Sequence, residues 1–204
     1  MTDDSISVTI QNVVASADLH AKINLEKAAS ILVYTAEVSY IPEQFPGLVV
    51  KIKEPKTSAL VFSSGKMVIT GAKSSTMIEE AVDVLAHLLE TQAGVNIEKE
   101  TSITVQNIVA SGSVGGRINL ELAALLLDNS MYEPEQFPGL IYRMLEPKPK
   151  TVLLLFQSGN LVCTGAKREE LVYDAVRQVR QDLEEIEALI TDEDEMEGFG
   201  NFDF

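Results

Sequence analysis

The 204-residue chain has no tryptophan, a single cysteine, Cys163, and two histidines, His20 and His87. One thiol excludes an intramolecular disulfide, and so few Cys and His leave no zinc-ligand spacing. No apolar run approaches the roughly 18 to 20 residues needed to cross a bilayer. The first residues, Met1-Thr2-Asp3-Asp4, carry acids where a signal or transit peptide would carry bases. The chain is therefore expected in the cytoplasm and away from membranes. It has no Gly-rich phosphate loop and no nucleophile beside a plausible base, so an enzyme finds no support, and no cofactor or metal is expected. Bases are scarce too: 16 Lys and Arg stand against 31 Asp and Glu, a net charge of −15. That balance argues at first against a nucleic-acid partner, because phosphate binding depends on cations.

The distribution of charge reverses the inference. Residues 46–73 hold five lysines against Glu54 alone, and residues 137–168 hold Arg143, Lys148, Lys150, Lys167 and Arg168 against Glu146 alone, so each segment sums to +4. Residues 74–100 and 169–190 each sum to −5, and residues 191–204 to −6. A basic segment followed by an acidic one thus occurs twice. With 46% apolar residues and a mean hydropathy of +0.10, the chain can bury a core without staples.

The duplication extends to the sequence itself. Glu-Gln-Phe-Pro-Gly-Leu stands at residues 43–48 and again at 135–140. Gln11-Asn12-Val13-Val14-Ala15-Ser16 answers Gln106-Asn107-Ile108-Val109-Ala110-Ser111, and Glu54-Pro55-Lys56 answers Glu146-Pro147-Lys148. Phe62 with Ser64-Gly65 answers Phe156 with Ser158-Gly159, and Thr70-Gly71-Ala72-Lys73 answers Thr164-Gly165-Ala166-Lys167. Cys163 matches Ile69, which marks it as a buried apolar position. The spacing divides the chain into a first repeat, residues 1–97, a second, residues 98–190, and an acidic tail, residues 191–204, whose composition predicts disorder.

Within each repeat, Ile6 to Val14 and Ile103 to Val109 alternate with the period of a strand. Asn24 and Asn119 are good caps for a short helix. Turn signals such as Pro46-Gly47 and Ser64-Gly65 then separate several strand-like runs. Each repeat closes in a longer helix. In the first, Thr76 with Glu79 forms a capping box, Ile78, Ala81, Val82, Leu85, Leu88 and Leu89 share a face, and Gly94 supplies the stop. In the second, Val172, Ala175, Val176, Val179, Leu183, Ile186 and Ile190 keep that period. The order strand, helix, four strands, helix, twice over, makes an α+β protein with about ten strands and four helices. Runs such as Ala59-Leu60-Val61-Phe62 and Val152-Leu153-Leu154-Leu155-Phe156 are apolar at both alternating sets of positions. Strands of that kind are normally covered on both faces, so the face without helices is expected to meet a partner.

These motifs, in this order and in both copies over residues 6–190, resemble the TATA-box-binding protein family of general transcription initiation factors. The resemblance implies a saddle-shaped, pseudo-symmetric tandem repeat whose curved antiparallel sheet of about ten strands carries four helices on its convex face. It implies a minor-groove reader of promoter DNA at the TATA box that kinks the duplex with inserted phenylalanines. Carried over by position, Phe45 with Phe62 and Phe137 with Phe156 are the wedge pairs. Asn12, Asn107, Thr70 and Thr164 match the donors to base edges, and Val14, Leu60, Val68, Val109, Leu154 and Val162 match the apolar floor. Lys51, Lys66, Lys73, Arg143 and Lys167 match phosphate contacts, with a departure at Asn160, which stands opposite Lys66 where the family usually has lysine. Glu133, Glu135 and Gln136 occupy the positions that contact transcription factor B, through which RNA polymerase is recruited. Phe-Pro-Gly in both repeats and the absence of a long N-terminal extension point to an archaeal member. Because the two stirrup loops are nearly identical, binding in either orientation is expected from the protein alone. A homodimer through the apolar underside is expected without DNA. The second reading is a saddle of the same kind that binds another nucleic acid, a ligand or a protein without promoter specificity. Phe199, Phe202 and Phe204 among the acids of the tail suggest a segment that imitates nucleic acid and competes for the empty saddle.

Overall fold

The computed structural model describes residues 6–97, 100–146 and 148–191. The tail aromatics Phe199, Phe202 and Phe204 lie outside the described residues. Two compact units are present, residues 11–107 and residues 6–10 with 108–191. The division runs through strands β1 (Ser7–Asp18) and β6 (Ser102–Ser113), so the sequence repeats and the compact units are different partitions of the chain.

In the first unit β1 is followed by helix α1 (Leu25–Leu32), strands β2 (Glu37–Ser39), β3 (Leu48–Ile52), β4 (Thr57–Val61) and β5 (Lys66–Ala72), and helix α2 (Ser75–Thr91). Its strands pair in the order β2-β3-β4-β5-β1, every pair antiparallel. The second unit repeats the pattern after β6, with β7 (Arg117–Ile118), α3 (Leu120–Leu126), β8 (Ser130–Met131), β9 (Leu140–Met144), β10 (Thr151–Leu155), β11 (Asn160–Ala166), α4 (Glu169–Glu185) and β12 (Leu189–Ile190). Here the order is β6-β11-β10-β9-β8, again antiparallel, while β7 and β12 form a small ribbon of their own.

Strand period two sorts the side chains into two faces. Val13, Ala15, Leu48, Val50, Ala59, Val61 and Ile69 are fully buried on the face that carries α2, which packs against β5. The alternate positions, Val14, Val49, Leu60 and Val68, stay half exposed. The second unit sorts in the same way, with Leu140, Leu153 and Cys163 buried and Val109, Ile141, Leu154 and Val162 half exposed. The sulfur of Cys163 fills the place of Ile69, and burial pushes its thiol up to about 11 against a weaker hydrogen bond with Thr151.

The short helices begin where the sequence indicates, because Asn24 Oδ1 accepts from Lys27 N at 3.0 Å and Asn119 Oδ1 from Leu122 N at 3.1 Å. The long helices start and stop differently from expectation. The cap of α2 is Ser74, whose hydroxyl accepts from Met77 N at 3.1 Å, so Thr76 lies inside the first turn and the capping box with Glu79 does not form. Helix α4 ends at Glu185 because Glu187 turns to φ +57°, and Ala188 N then bonds back to Leu183 O at 2.9 Å. Ile190 therefore belongs to β12 and not to the helical face.

Candidate nucleic-acid interface

Each unit holds two phenylalanine rings at the margin of its half-exposed face. Phe45 follows a turn closed by its own N–H on Ile41 O, and Phe62 follows β4 in a hairpin closed by Phe62 N on Lys66 O and Gly65 N on Phe62 O. Gly65 takes φ +89° there, a conformation that an L side chain rarely adopts. The two rings meet edge to face, with centroids 5.9 Å apart and planes at 65°. Phe137 and Phe156 repeat the arrangement at 5.9 Å and 64°, with Gly159 at φ +85°. A second glycine makes the ring positions attainable. A Cβ on Gly47 would lie 2.6 Å from Phe45 Cε1, and one on Gly139 would lie 2.8 Å from Phe137 Cε1. Phe45 and Phe137 remain 38% and 36% exposed, high for rings with no polar atom.

Between ring pair and first strand, the floor of each unit is built in registered rows. Val49, Leu60 and Val68 stand opposite one another across β3, β4 and β5, as do Ile141, Leu154 and Val162 across β9, β10 and β11. A second row in the first unit runs Thr70, Ser58, Lys51, Glu37. Asn12 reaches the end of that row. Its Oδ1 accepts Gly71 N–H at 2.8 Å, and its Nδ2 lies 3.3 Å from Thr70 Oγ1. The amide is thereby oriented, with one N–H still available to an acceptor. The matching row of the second unit is Thr164, Val152, Arg143, and Asn107 sits half buried on β6 as Asn12 does on β1.

The expected phosphate-binding cations Lys51, Lys66, Lys73, Arg143 and Lys167 are all exposed. Lys51 is engaged already, with its ammonium 2.5 Å from Glu37. Lys53 and Lys56 join Lys51 and Lys73 around a hollow of about 840 Å³ that also reaches Asn12 and Thr70. Sequence reasoning placed Lys53 and Lys56 in the basic segment without assigning them to the site. Lys150 borders a hollow of about 470 Å³ with Arg143 and Lys167. Val49, Ile141, Ser58 and Val152 were also missed; counting by two from Leu60 and Leu154 finds Ser58 and Val152, whereas Val49 and Ile141 face Leu60 and Leu154 only through the register of the neighbouring strands. Asn160 begins β11 as Lys66 begins β5, so the substitution read from the sequence falls at equivalent positions.

Lys148 takes no part in the open face. Its Nζ donates to Asp182 Oδ2 at 2.7 Å and to Tyr142 Oη at 3.1 Å, while Tyr142 Oη donates to the same carboxylate oxygen at 2.9 Å. Gln178 Nε2 donates to Asp182 Oδ1 at 3.0 Å, so both oxygens of this buried acid are satisfied. Desolvation pulls the Lys148 pKa down, but the hydrogen bonds to Asp182 and Tyr142 outweigh it and leave the ammonium above its usual value. Glu133, Glu135 and Gln136 lie exposed in the turn before Phe137, where Glu133 O accepts the N–H groups of Gln136 and Phe137 at 2.9 Å each. The matching turn of the first unit has Ile41 in place of Glu133. Among the described residues no cluster of three His, Cys, Asp or Glu could hold a metal ion, and no helix is long and apolar enough to cross a membrane.

An apolar floor, paired exposed rings, the oriented amide of Asn12 and cationic margins suit a flat apolar surface flanked by phosphates. The family model described as "Transcription factor TFIID (or TATA-binding protein, TBP)" matches residues 7–92 and again 102–186. The chain belongs to the TATA-box-binding protein family. The TATA-box-binding protein of Pyrococcus furiosus is 46% identical over 191 residues, which cover 94% of this chain and 97% of the relative. That of Pyrobaculum aerophilum is 43% identical over 201 residues, 98% of each. The solved structure of Methanococcus jannaschii TBP superposes with a TM-score of 0.77 at 39% identity, covering 88% of this chain and 99% of that one. The α+β fold of four helices and antiparallel strands in tandem repeat is therefore the family's. The chain belongs among archaeal transcription factors of the TATA-box-binding kind, which are not enzymes.

Proposed function

We propose that the protein initiates transcription by binding the TATA box of promoters in the minor groove and kinking the DNA with Phe45 and Phe62 in one unit and Phe137 and Phe156 in the other. The observation that carries this reading is the repetition of the ring pairs, at one centroid distance and nearly one tilt, beside an apolar half-exposed floor. Burying four rings yields roughly 6 to 12 kcal/mol at about 1.5 to 3 each. Bending a site of this length costs on the order of 1 to 10 kcal/mol, so TA-rich sequence, which kinks easily, decides whether the complex forms. Asn12, Asn107, Thr70 and Thr164 donate to the minor-groove acceptors that an A·T pair offers. Lys51, Lys66, Lys73, Arg143 and Lys167 hold the phosphates.

Glu133, Glu135 and Gln136 then present transcription factor B with an acidic turn that the first unit lacks at Ile41, and RNA polymerase follows through that factor. Such a factor works at the DNA of the cytoplasm. Without DNA, the apolar floor is expected to pair two copies of the chain, and a strict monomer in sedimentation at micromolar concentration would remove that expectation. The deciding experiment uses a short duplex labelled at both ends, with a TATA or a G·C-rich sequence. Energy transfer that rises on the TATA duplex alone is the expected result. Equal weak binding of both duplexes without bending would overturn the reading.

A further inference from the structure

We propose that Ser58 and Val152 make the two units unequal readers of base pairs, so that the chain alone selects its orientation on a site with a G·C pair in one half. The inference rests on the proposed minor-groove binding. Ser58 occupies β4 and Val152 occupies β10, each half buried at the second position of a five-residue strand with the same burial pattern. Each is registered between a threonine and a cation, Thr70 and Lys51 for Ser58, Thr164 and Arg143 for Val152. The two positions are therefore equivalent, and only their chemistry differs. Ser58 borders the hollow that contains Asn12 and Thr70, and its hydroxyl has no hydrogen-bond partner among the described residues.

In the minor groove a G·C pair differs from an A·T pair by one donor, the guanine amino group, which also projects from the groove floor. The hydroxyl of Ser58 can accept from that group, and a serine leaves more room for it than a valine does. Val152 offers neither acceptor nor room, so a guanine facing the second unit loses a hydrogen bond on burial. The first unit is thus the tolerant reader and the second the strict one. On a site of A·T pairs only, this difference has nothing to act on, and both orientations remain equivalent in this respect. One G·C pair in a half-site places the first unit over that half, by a factor of roughly ten.

The test attaches a donor dye at Glu43→Cys, in the exposed turn before Phe45, and an acceptor dye at one duplex end and then at the other. Cys163, buried, is left unlabelled. Three duplexes are compared, one all A·T and two with a single G·C pair in either half. The wild-type surface is expected to show equal populations on the first and roughly tenfold opposite biases on the other two. Exchange of the pair, Ser58→Val with Val152→Ser, is expected to reverse both biases, and Val152→Thr serves where serine weakens folding. Bias that stays the same after the exchange, or equal populations on the G·C duplexes, overturns the inference alone. Failure of the unsubstituted surface to bind or bend any of the duplexes overturns the minor-groove reading and this inference together.

Discussion

In the first unit the cation of the outer row, Lys51, lies on Glu37 at 2.5 Å, whereas in the second the matching Arg143 pairs across the strands with no acid, its backbone N–H donating to Asn129 O at 3.1 Å. The turns that follow differ more. Thr57 Oγ1 donates to Pro55 O at 3.2 Å, and Thr151 Oγ1 donates to Pro149 O at the same distance. Hydrogen bonding thus matches Pro55-Lys56-Thr57 with Pro149-Lys150-Thr151. The resemblance of Glu54-Pro55-Lys56 to Glu146-Pro147-Lys148 is a likeness of sequence that falls two residues away. Lys148 belongs to the extra length of the second turn, and it reaches inward to Asp182 and Tyr142. At the corresponding places the first unit has Leu88 and Val50, both apolar. Duplication has preserved the ring pairs to 1° in tilt while the supports around them have diverged. Ring pairs that wedge into DNA, as proposed, would tolerate little change, whereas a core tolerates substitutions that keep its volume and satisfy its polar atoms.

The equality of the ring pairs is the part of the comparison with the largest expected effect. Phe45→Ala and Phe137→Ala are each expected to weaken TATA binding by about 1.5 to 3 kcal/mol, roughly 10- to 150-fold, with unfolding midpoints near wild type because both rings are partly exposed. Affinities measured by bending of the labelled duplex decide this, and a loss confined to one unit breaks the equivalence. The buried network of the second unit comes next. Asp182→Ala removes the acceptor that Lys148, Tyr142 and Gln178 share, at an expected cost of about 1 to 3 kcal/mol in urea unfolding. The figure lies below that of a fully buried pair because the Lys148 side chain, 38% exposed, can turn to water. Leu88→Ala in the first unit costs only packing and should show no such alkaline signature.

That signature follows from the direction of two shifts. Desolvation holds the phenol of Tyr142 above its ordinary 10.0, and the hydrogen bonds of Lys148 hold its ammonium above 10.5 despite desolvation. The native state therefore keeps both protons after the unfolded chain has released them. This contribution is complete below about pH 10 and is lost as pH rises through the raised native values. Unfolding free energies between pH 8 and 11 are expected to fall more steeply for wild type than for Asp182→Ala; parallel curves would show that the network does not titrate with folding.

Helix caps give a smaller difference. Ser74 caps α2 through its hydroxyl, but Arg168 at the start of α4 makes no side-chain cap bond. Arg168→Ser is expected to raise stability by about 1 kcal/mol, read as a higher urea midpoint at unchanged slope. The smallest effect concerns the exposed pair of Glu37 and Lys51. Glu37→Gln frees the ammonium, and an exposed pair of this kind is worth about 0.2 to 1 kcal/mol. DNA affinity at low salt should rise by at most a few-fold, while the slope of log affinity on log salt steepens by up to about 0.9. An unchanged slope would mean that Lys51 meets no phosphate.

Much of this was legible in the chain. The short helices start at Asn24 and Asn119 because a cap is a local hydrogen bond between residues three apart, and local bonds leave local patterns. Strand phase was legible for the same reason, and the order of the ring-bearing segments was legible because it occurs twice. Misreadings arose where neighbours in sequence compete for one role. Ser74 and Thr76 are both capping residues, and only the approach of the chain from β5 selects Ser74. Ile190 continues a 3.6-residue period, yet Glu187 ends the helix and β7 takes Ile190 into a ribbon. The strands β1 and β6 continue to Asp18 and Ser113, beyond the alternation that announced them, because β5 and β11 pair with their later residues.

By itself, the sequence determined the duplication, the alternation that buries one face of each strand, the positions of the four rings and the segregation of bases from acids. All of these are written in residue type and spacing, which survive without coordinates. Tertiary structure alone decided which cations are at liberty. Lys148 and Lys56 stand in the same tripeptide, but one is drawn to a carboxylate 34 residues away and the other lines an open hollow. Electrostatic interaction depends on distance and local dielectric, and neither can be read from a residue's name.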